Sequence, residues 1–141
     1  MRLLLGHPQA EIIAATSERH FSEPAYLTHP NLRGRTELQY TRLQDLPKCD
    51  VLFVALPHSQ VAGQIERFAA LADRIVDLSA DFRLHNPADY DRWYGWEHPH
   101  PEWLARFVYG LPEIHREELR NARYASGVGC NATLVNLALW P

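Results

Sequence analysis

Cysteine is nearly absent from this chain of 141 residues: Cys49 and Cys130 are the only two, too few for a disulfide framework. That scarcity fits a reducing, cytoplasmic setting. Basic runs are missing as well. Lys and Arg number 14 against 17 Asp and Glu, a formal net charge of −3. No cluster of cations is available to a phosphate backbone, so nucleic acid is excluded as a main partner. Long hydrophobic runs are lacking: stretches such as Asp50–Leu56 fall far short of the ~20 residues of a membrane helix, which excludes a membrane partner of that kind. Residues Met1–Pro8 have no signal-peptide pattern. What is present is 46% hydrophobic residues with ten Pro and four Trp, a soluble globular composition rather than a disordered one.

No repeat, low-complexity tract or linker interrupts the chain, which reads as one domain over residues 1–141. Glu11–Thr16, Asp50–Leu56 and Arg74–Leu78 are apolar, β-branched runs, and Ala122–Ser126 is a weaker fourth. The second stops at Pro57, as a strand buried on both faces does. Between the second and third, Val61, Ala62, Ile65, Phe68 and Ala69 recur at spacings of three and four, predicting a helix over Ser59–Leu71. Strand, helix, strand in that rhythm is a βαβ unit, and the fold class is α/β with a mostly parallel sheet. Ser79–Glu113 is different, rich in Pro and in aromatic residues (Trp93, Tyr94, Trp96, Trp103, Tyr109) with little periodicity. It reads either as a functional segment or as a flap over the sheet edge. Both ends read as cut: Met1–Leu5 resembles the tail of an amphipathic helix, and Asn131–Trp140 is an apolar helix without a closing cap.

The segment with most chemistry is Ser126-Gly-Val-Gly-Cys-Asn-Ala-Thr133, which follows a predicted strand and opens a predicted helix. Two glycines permit a tight turn, with positive φ available to either. The turn sets Cys130 at a helix N-terminus, where the dipole and unsatisfied N–H groups favour a thiolate and can hold an oxyanion. A buried structural cysteine is the alternative. Gly127-x-Gly129-x-x-Ala132 also fits a dinucleotide fingerprint, but no following strand carries the ribose-binding acid. Asn131-Ala-Thr133 matches a glycosylation sequon by chance.

Other candidates carry less. His98-Pro-His100 beside Glu97 has no third ligand at metal-binding spacing and reads as loop histidines, so no metal is expected. Asp77, Ser79 and Asp81 alternate as in a calcium loop without its glycine and terminal Glu. His58 ends a central strand on the ligand side of an α/β sheet, either touching a cofactor or simply satisfied there. Cys49 reads as a spare thiol on a loop before a strand. A thiol redox protein is a further possibility for Cys130, though Cys49 is no evident resolving partner.

Several of these residues occur together in order: Leu5-Gly-His-Pro8, Thr16-Ser17, His29-Pro-Asn-Leu-Arg-Gly34, Ala55-Leu-Pro-His58, Asp77-Leu-Ser-Ala-Asp-Phe-Arg83, Trp93-Tyr-Gly95, Glu97-His-Pro99, Val108-Tyr-Gly-Leu-Pro-Glu113 and Gly129-Cys130. The chain thereby resembles the N-acetyl-γ-glutamyl-phosphate reductase family, including its branch acting on aminoadipate or glutamate phosphate held by an amino-group carrier protein. Gly127-Val-Gly-Cys-Asn-Ala-Thr133 is more similar to the carrier-linked branch than to the Asn-Pro-Gly-Cys form of the arginine branch.

The resemblance implies a partial Rossmann-like, doubly wound NAD(P)-binding domain. The first strand and Gly-rich loop would precede Met1, and a substrate and dimerisation domain would follow Pro141. It implies reduction of an acyl phosphate by NADP(H) through a Cys130 thioester, in lysine or arginine biosynthesis, by a full-length homo-oligomer. Thr16, Ser17, Glu18, Arg19, His58 and Ser79 fall on the cofactor side, and Arg83 and Asn131 on the acyl-phosphate side. A hydroxyl and Arg19 after the strand suit a 2′-phosphate, whereas Glu18 stands where similar proteins carry Arg and opposes one. Arg83 holds an anion or, with Asp81, braces its loop. The competing expectation is an inactive truncated fragment or binding module.

Overall fold

The computed structural model describes residues 1–140, and the chain divides into two compact units, Met1–Cys49 and Asp50–Pro141. In the first, β1 (Ala15–Thr16) pairs in parallel with β2 (Tyr40–Thr41), Ala15 opposite Tyr40 and Thr16 opposite Thr41. Only the last two residues of the apolar run Glu11–Thr16 enter the ladder, because β2 presents two residues before the chain turns at Leu43–Asp45. Helix α1 (Ala25–Thr28) supplies Ala25 to a small core with Leu32 and Tyr40. Met1, Leu5 and Leu38 pack against it. The amphipathic helix expected at Met1–Leu5 is a 3-10 turn over Leu4–Gly6, stopped by the extended His7-Pro8 step.

The second unit holds a four-stranded sheet of β3 (Cys49–Val54), β4 (Ala72–Asp77), β5 (Phe107–Tyr109) and β6 (Tyr124–Ser126), in the order β3-β4-β6-β5. β6 runs parallel to both neighbours, so Asp77, Ser126 and Tyr109 end their strands in one row. The Leu78 N–H donates to Val54 O at 2.8 Å, which brings the end of β3 to the same edge. Helix α2 (Ile65–Leu71) links β3 to β4 and buries Ile65 and Phe68 completely. The stretch Ser59–Gln64 expected as its beginning is instead a turn and a 3-10 segment, with Ser59 left-handed at φ 68°.

The aromatic segment is more regular than its sequence implies. It forms α3 (Ala88–Tyr94), a 3-10 stretch over Pro101–Arg106, and β5. Gly95, at φ 73°, closes α3 in the left-handed conformation that glycine adopts without strain. Burial explains the order. Phe82 stacks on Phe107 with centroids 4.1 Å apart, and Trp103 packs against Tyr124. Tyr90, fully buried, hydrogen-bonds Leu84 N through its hydroxyl. Helix α4 (Pro112–Asn121) returns the chain to β6, and α5 (Cys130–Leu139) follows it.

Candidate active site

Parallel strands send their ligand-facing loops out from the carboxyl edge, and that is where most of the chemistry-bearing residues of the second unit collect. The loop Asp77–Arg83 leaves the end of β4 and is built from buried polar contacts. Asp77 accepts both the N–H and the hydroxyl of Ser79 at 2.9 Å. Burial pushes the Asp77 carboxyl above its ordinary range; the Ser79 bonds pull it back, and the Asp81 charge adds to the rise. Asp81, 0% exposed, accepts backbone N–H groups from Ser59 at 2.7 Å and from Val61 and Ala62 at 2.9 Å. One carboxylate thus satisfies the start of the turn into α2. His58 is exposed, and its Nδ1 accepts the Ala80 N–H at 3.0 Å, which leaves Nε2 as the protonated nitrogen of the neutral ring.

Arg83 joins this loop to the cysteine. Its Nε donates to Gly127 O at 3.1 Å, Nη2 to Ser79 O at 3.1 Å, and Nη1 to the Tyr94 hydroxyl at 3.2 Å. Three of its five N–H donors are thus engaged in bracing. The guanidinium lies against Gly129: a Cβ there would sit 3.0 Å from Nη1 and 3.3 Å from Cζ. Gly127 donates its N–H to Asp77 O, and a Cβ on it would lie 2.8 Å from that oxygen. Neither glycine has positive φ, contrary to the turn expected from sequence; backbone approach excludes a Cβ at Gly127, whereas at Gly129 a Cβ would press on the Arg83 side chain. Cys130 opens α5 as an exposed residue, which corrects the buried alternative. No side chain caps this helix, so its first-turn N–H groups have no side-chain acceptor at the N-cap. Asn131 Oδ1 lies 4.0 Å from Cys130 Sγ.

Beside Arg83 an open hollow of about 510 Å³ is lined by His85, Phe107, Tyr109, His115 and Glu118 among others. Cys130 does not line it. Tyr94 is legible from sequence as part of the aromatic segment and of the Trp93-Tyr-Gly95 motif, but nothing local marks it as a partner of Arg83.

The residues after β1 form a separate group in the first unit. The Ser17 N–H donates to Thr41 O at 3.1 Å and its Oγ accepts the His20 N–H at 3.2 Å. Glu18 turns its carboxylate onto the Leu43 N–H at 3.0 Å, and Arg19 is exposed. Thr16 and Ser17, half-buried at the carboxyl end of a strand, fit the ribose of a dinucleotide, for which their hydroxyls are suitable partners.

The lesser candidates resolve structurally. His98 is buried with Nε2 2.8 Å from Asp81 O, while its Nδ1 accepts the His100 N–H. Burial lowers the pKa of that ring. The His100 ring pairs with the Glu102 carboxylate rather than with the His98 ring. Asp77, Ser79 and Asp81 point their oxygens at protein N–H and hydroxyl groups, and no group of potential metal ligands occurs among the described residues. Cys49 begins β3, half-buried, instead of lying on a surface loop.

Comparison with known proteins matches residues 1–122 to the family described as semialdehyde dehydrogenase, NAD binding domain. The chain is 50% identical over 141 residues to the LysW-L-2-aminoadipate 6-phosphate reductase of Deinococcus radiodurans, covering 100% of this chain and 40% of that protein. A putative reductase of the same description from Thermomicrobium roseum is 50% identical, with the same coverage. The LysW-L-2-aminoadipate/LysW-L-glutamate phosphate reductase of Saccharolobus solfataricus is 46% identical over 146 residues, covering 100% of this chain and 41% of its own length. The chain therefore spans about two-fifths of these curated relatives. With parallel strand pairing and a family match over most of its length, the chain belongs to the semialdehyde dehydrogenase NAD-binding domain family.

Proposed function

We propose that this chain supplies the nucleotide-binding and thiol-bearing part of an NADPH-dependent acyl-phosphate reductase of lysine or arginine biosynthesis. Its substrate is the 6-phosphate of 2-aminoadipate or the 5-phosphate of glutamate, either N-acetylated or joined to an amino-group carrier protein. The carrier-linked form is favoured by the descriptions of the relatives. The observation that carries the reading is Cys130, exposed at the uncapped start of α5, with the Arg83 guanidinium against the preceding Gly129.

In this reading the Cys130 thiolate attacks the acyl carbon. The S–C bond forms, the bond between the acyl carbon and the bridging oxygen breaks, and phosphate leaves with the electron pair, giving a thioester. First-turn N–H groups of α5 stabilise the oxyanion of the tetrahedral intermediate. Arg83, with two N–H donors beyond its three bracing bonds, holds the anionic end of the substrate. Thr16, Ser17 and Arg19 would hold the adenosine ribose and its 2′-phosphate, with Glu18 beside them, and exposed His58 would meet the cofactor; Ser79, expected there too, is buried with its hydroxyl bonded to Asp77 and to the Asp81 N–H, so it holds the loop instead. The nicotinamide cofactor, when bound, would supply the hydride for reduction of the thioester to the semialdehyde, and the Cys130 sulfur would leave as thiolate. Asn131 contacts the acyl group.

Mass spectrometry of the chain after incubation with the acyl phosphate tests this. A single acyl adduct on the Cys130 peptide, released by hydroxylamine and lost in Cys130→Ser, is expected. Acylation elsewhere, or none, overturns the assignment.

A further inference from the structure

Among the three acceptors that hold the Arg83 guanidinium, two are backbone carbonyls and one is a side chain, the Tyr94 hydroxyl. The three bonds fall on different nitrogens. Tyr94 takes Nη1, and Nη1 is also the guanidinium atom nearest a Cβ built on Gly129, at 3.0 Å. The hydroxyl therefore acts on the nitrogen that faces the cysteine loop. Tyr94 itself is fixed at the end of α3, half-buried, stacked on Tyr90 with centroids 5.7 Å apart and edge-on to His58 at 6.1 Å. Tyr90 is fully buried, and its hydroxyl binds Leu84 N and the carbonyls of Ala80 and Leu84, all within or just past the Asp77–Arg83 loop.

From this geometry we infer that Tyr94 is a positioning residue, which orients the Arg83 charge toward the Cys130 loop and so makes the thiol select anionic electrophiles. The inference rests on the proposed roles of Cys130 and Arg83 and adds to them the residue that aims the charge. A planar guanidinium anchored by Ser79 O and Gly127 O alone can turn about that edge. The third bond fixes its Nη1 corner, so the cation stands at one distance from whatever approaches the sulfur.

The test uses the full chain and two alkylating agents, neutral iodoacetamide and anionic iodoacetate, with the Cys130 peptide quantified by mass spectrometry. The ratio of the two rates cancels the ionisation of the sulfur, since both reagents meet the same thiolate. One unit charge held at close range is worth on the order of tenfold in that ratio, and added salt should erode it. Arg83→Met is expected to lower the iodoacetate/iodoacetamide ratio about tenfold. Tyr94→Phe, which keeps both ring contacts, is expected to lose most of the same factor while its iodoacetamide rate stays within about twofold of the parent. In the Arg83→Met background, Tyr94→Phe should change nothing further, which a merely structural tyrosine would not obey. A parental ratio in Tyr94→Phe overturns the positioning role and leaves the anion-holding role of Arg83 standing. A parental ratio in Arg83→Met, or a Cys130 inert to iodoacetamide, overturns both.

Discussion

Removing the Asp81 carboxylate offers the sharpest measure of how the site loop is held. Two of its three bonds, to the N–H groups of Val61 and Ala62, are buried and share Oδ2, whereas the third runs from exposed Ser59 to Oδ1. A bond to a charged acceptor is worth about 1.5–3 kcal/mol net, so Asp81→Ala, which orphans two buried donors, should cost about 3–6 kcal/mol. That is a large share of the about 5–15 kcal/mol by which a domain is stable. Asp81→Asn is the discriminating partner. Its single carbonyl oxygen can take the place of Oδ2 and keep both buried bonds, turning the amide nitrogen toward Ser59, where water can replace the lost acceptor. The expected cost is then about 1–2 kcal/mol. Urea unfolding followed by tryptophan fluorescence separates the two. An Ala variant within about 1 kcal/mol of the parent, or an Asn variant as damaged as Ala, would refute the account of Asp81 as the anchor of the turn into α2.

Further outcomes follow from single contacts. His98 has its pKa lowered by burial, so the unfolded chain takes up the proton first; stability should fall as pH drops below about 6.5, by at most about 1.4 kcal/mol per pH unit. In His98→Gln that decline should flatten between pH 7 and 5; an unchanged slope contradicts the assignment. Gly127→Ala should cost about 1–3 kcal/mol because its Cβ meets Asp77 O and Leu78 Cα, while Gly63→Ala, with nothing within 4 Å, should not suffer that clash. Equal unfolding midpoints for the two would count against the close approach. Glu18→Gln removes a negative charge beside the expected 2′-phosphate and should shift the NADPH-over-NADH preference by on the order of tenfold in fluorescence titrations. Equal gains for both nucleotides would remove Glu18 from that site.

Legibility in the sequence followed element length and contact range. The cores of β3 and β4 could be read because six residues each carry an apolar run, and Cys130 because its flanking glycines and apolar helix are local. β2 and β5, at two and three residues, are too short to set up any period, and their existence depends on parallel neighbours far along the chain. Helix α4 is not legible in the sequence because half of it is charged, it buries no residue fully, and it is kinked at His115. Helix α2 starts later than its apolar spacing implies because the backbone breaks locally: Ser59 is left-handed at φ 68°, Ala62–Gln64 is a 3-10 segment, and Gln64 leaves the helical region at φ −123°, none of which the periodicity marks. Arg83 was visible as a candidate cation, but its tether to Tyr94 was not, since only the folded loop brings them together.

The bond from Arg83 to the carbonyl of Gly127 spans 44 residues of sequence. During synthesis the chain emerges in order, so the loop after β4 can settle on His58 and the α2 turn long before its other partner exists. The guanidinium reaches its final orientation only once β6 and the glycines behind it have been added. Because Cys130 follows within three residues of Gly127, the thiol leaves the ribosome almost together with the strand that sets its neighbouring cation. A nascent chain halted before β6 therefore exposes a half-anchored arginine and no Cys130 thiol, whereas one long enough to carry that thiol already contains every residue needed to lock the arginine beside it.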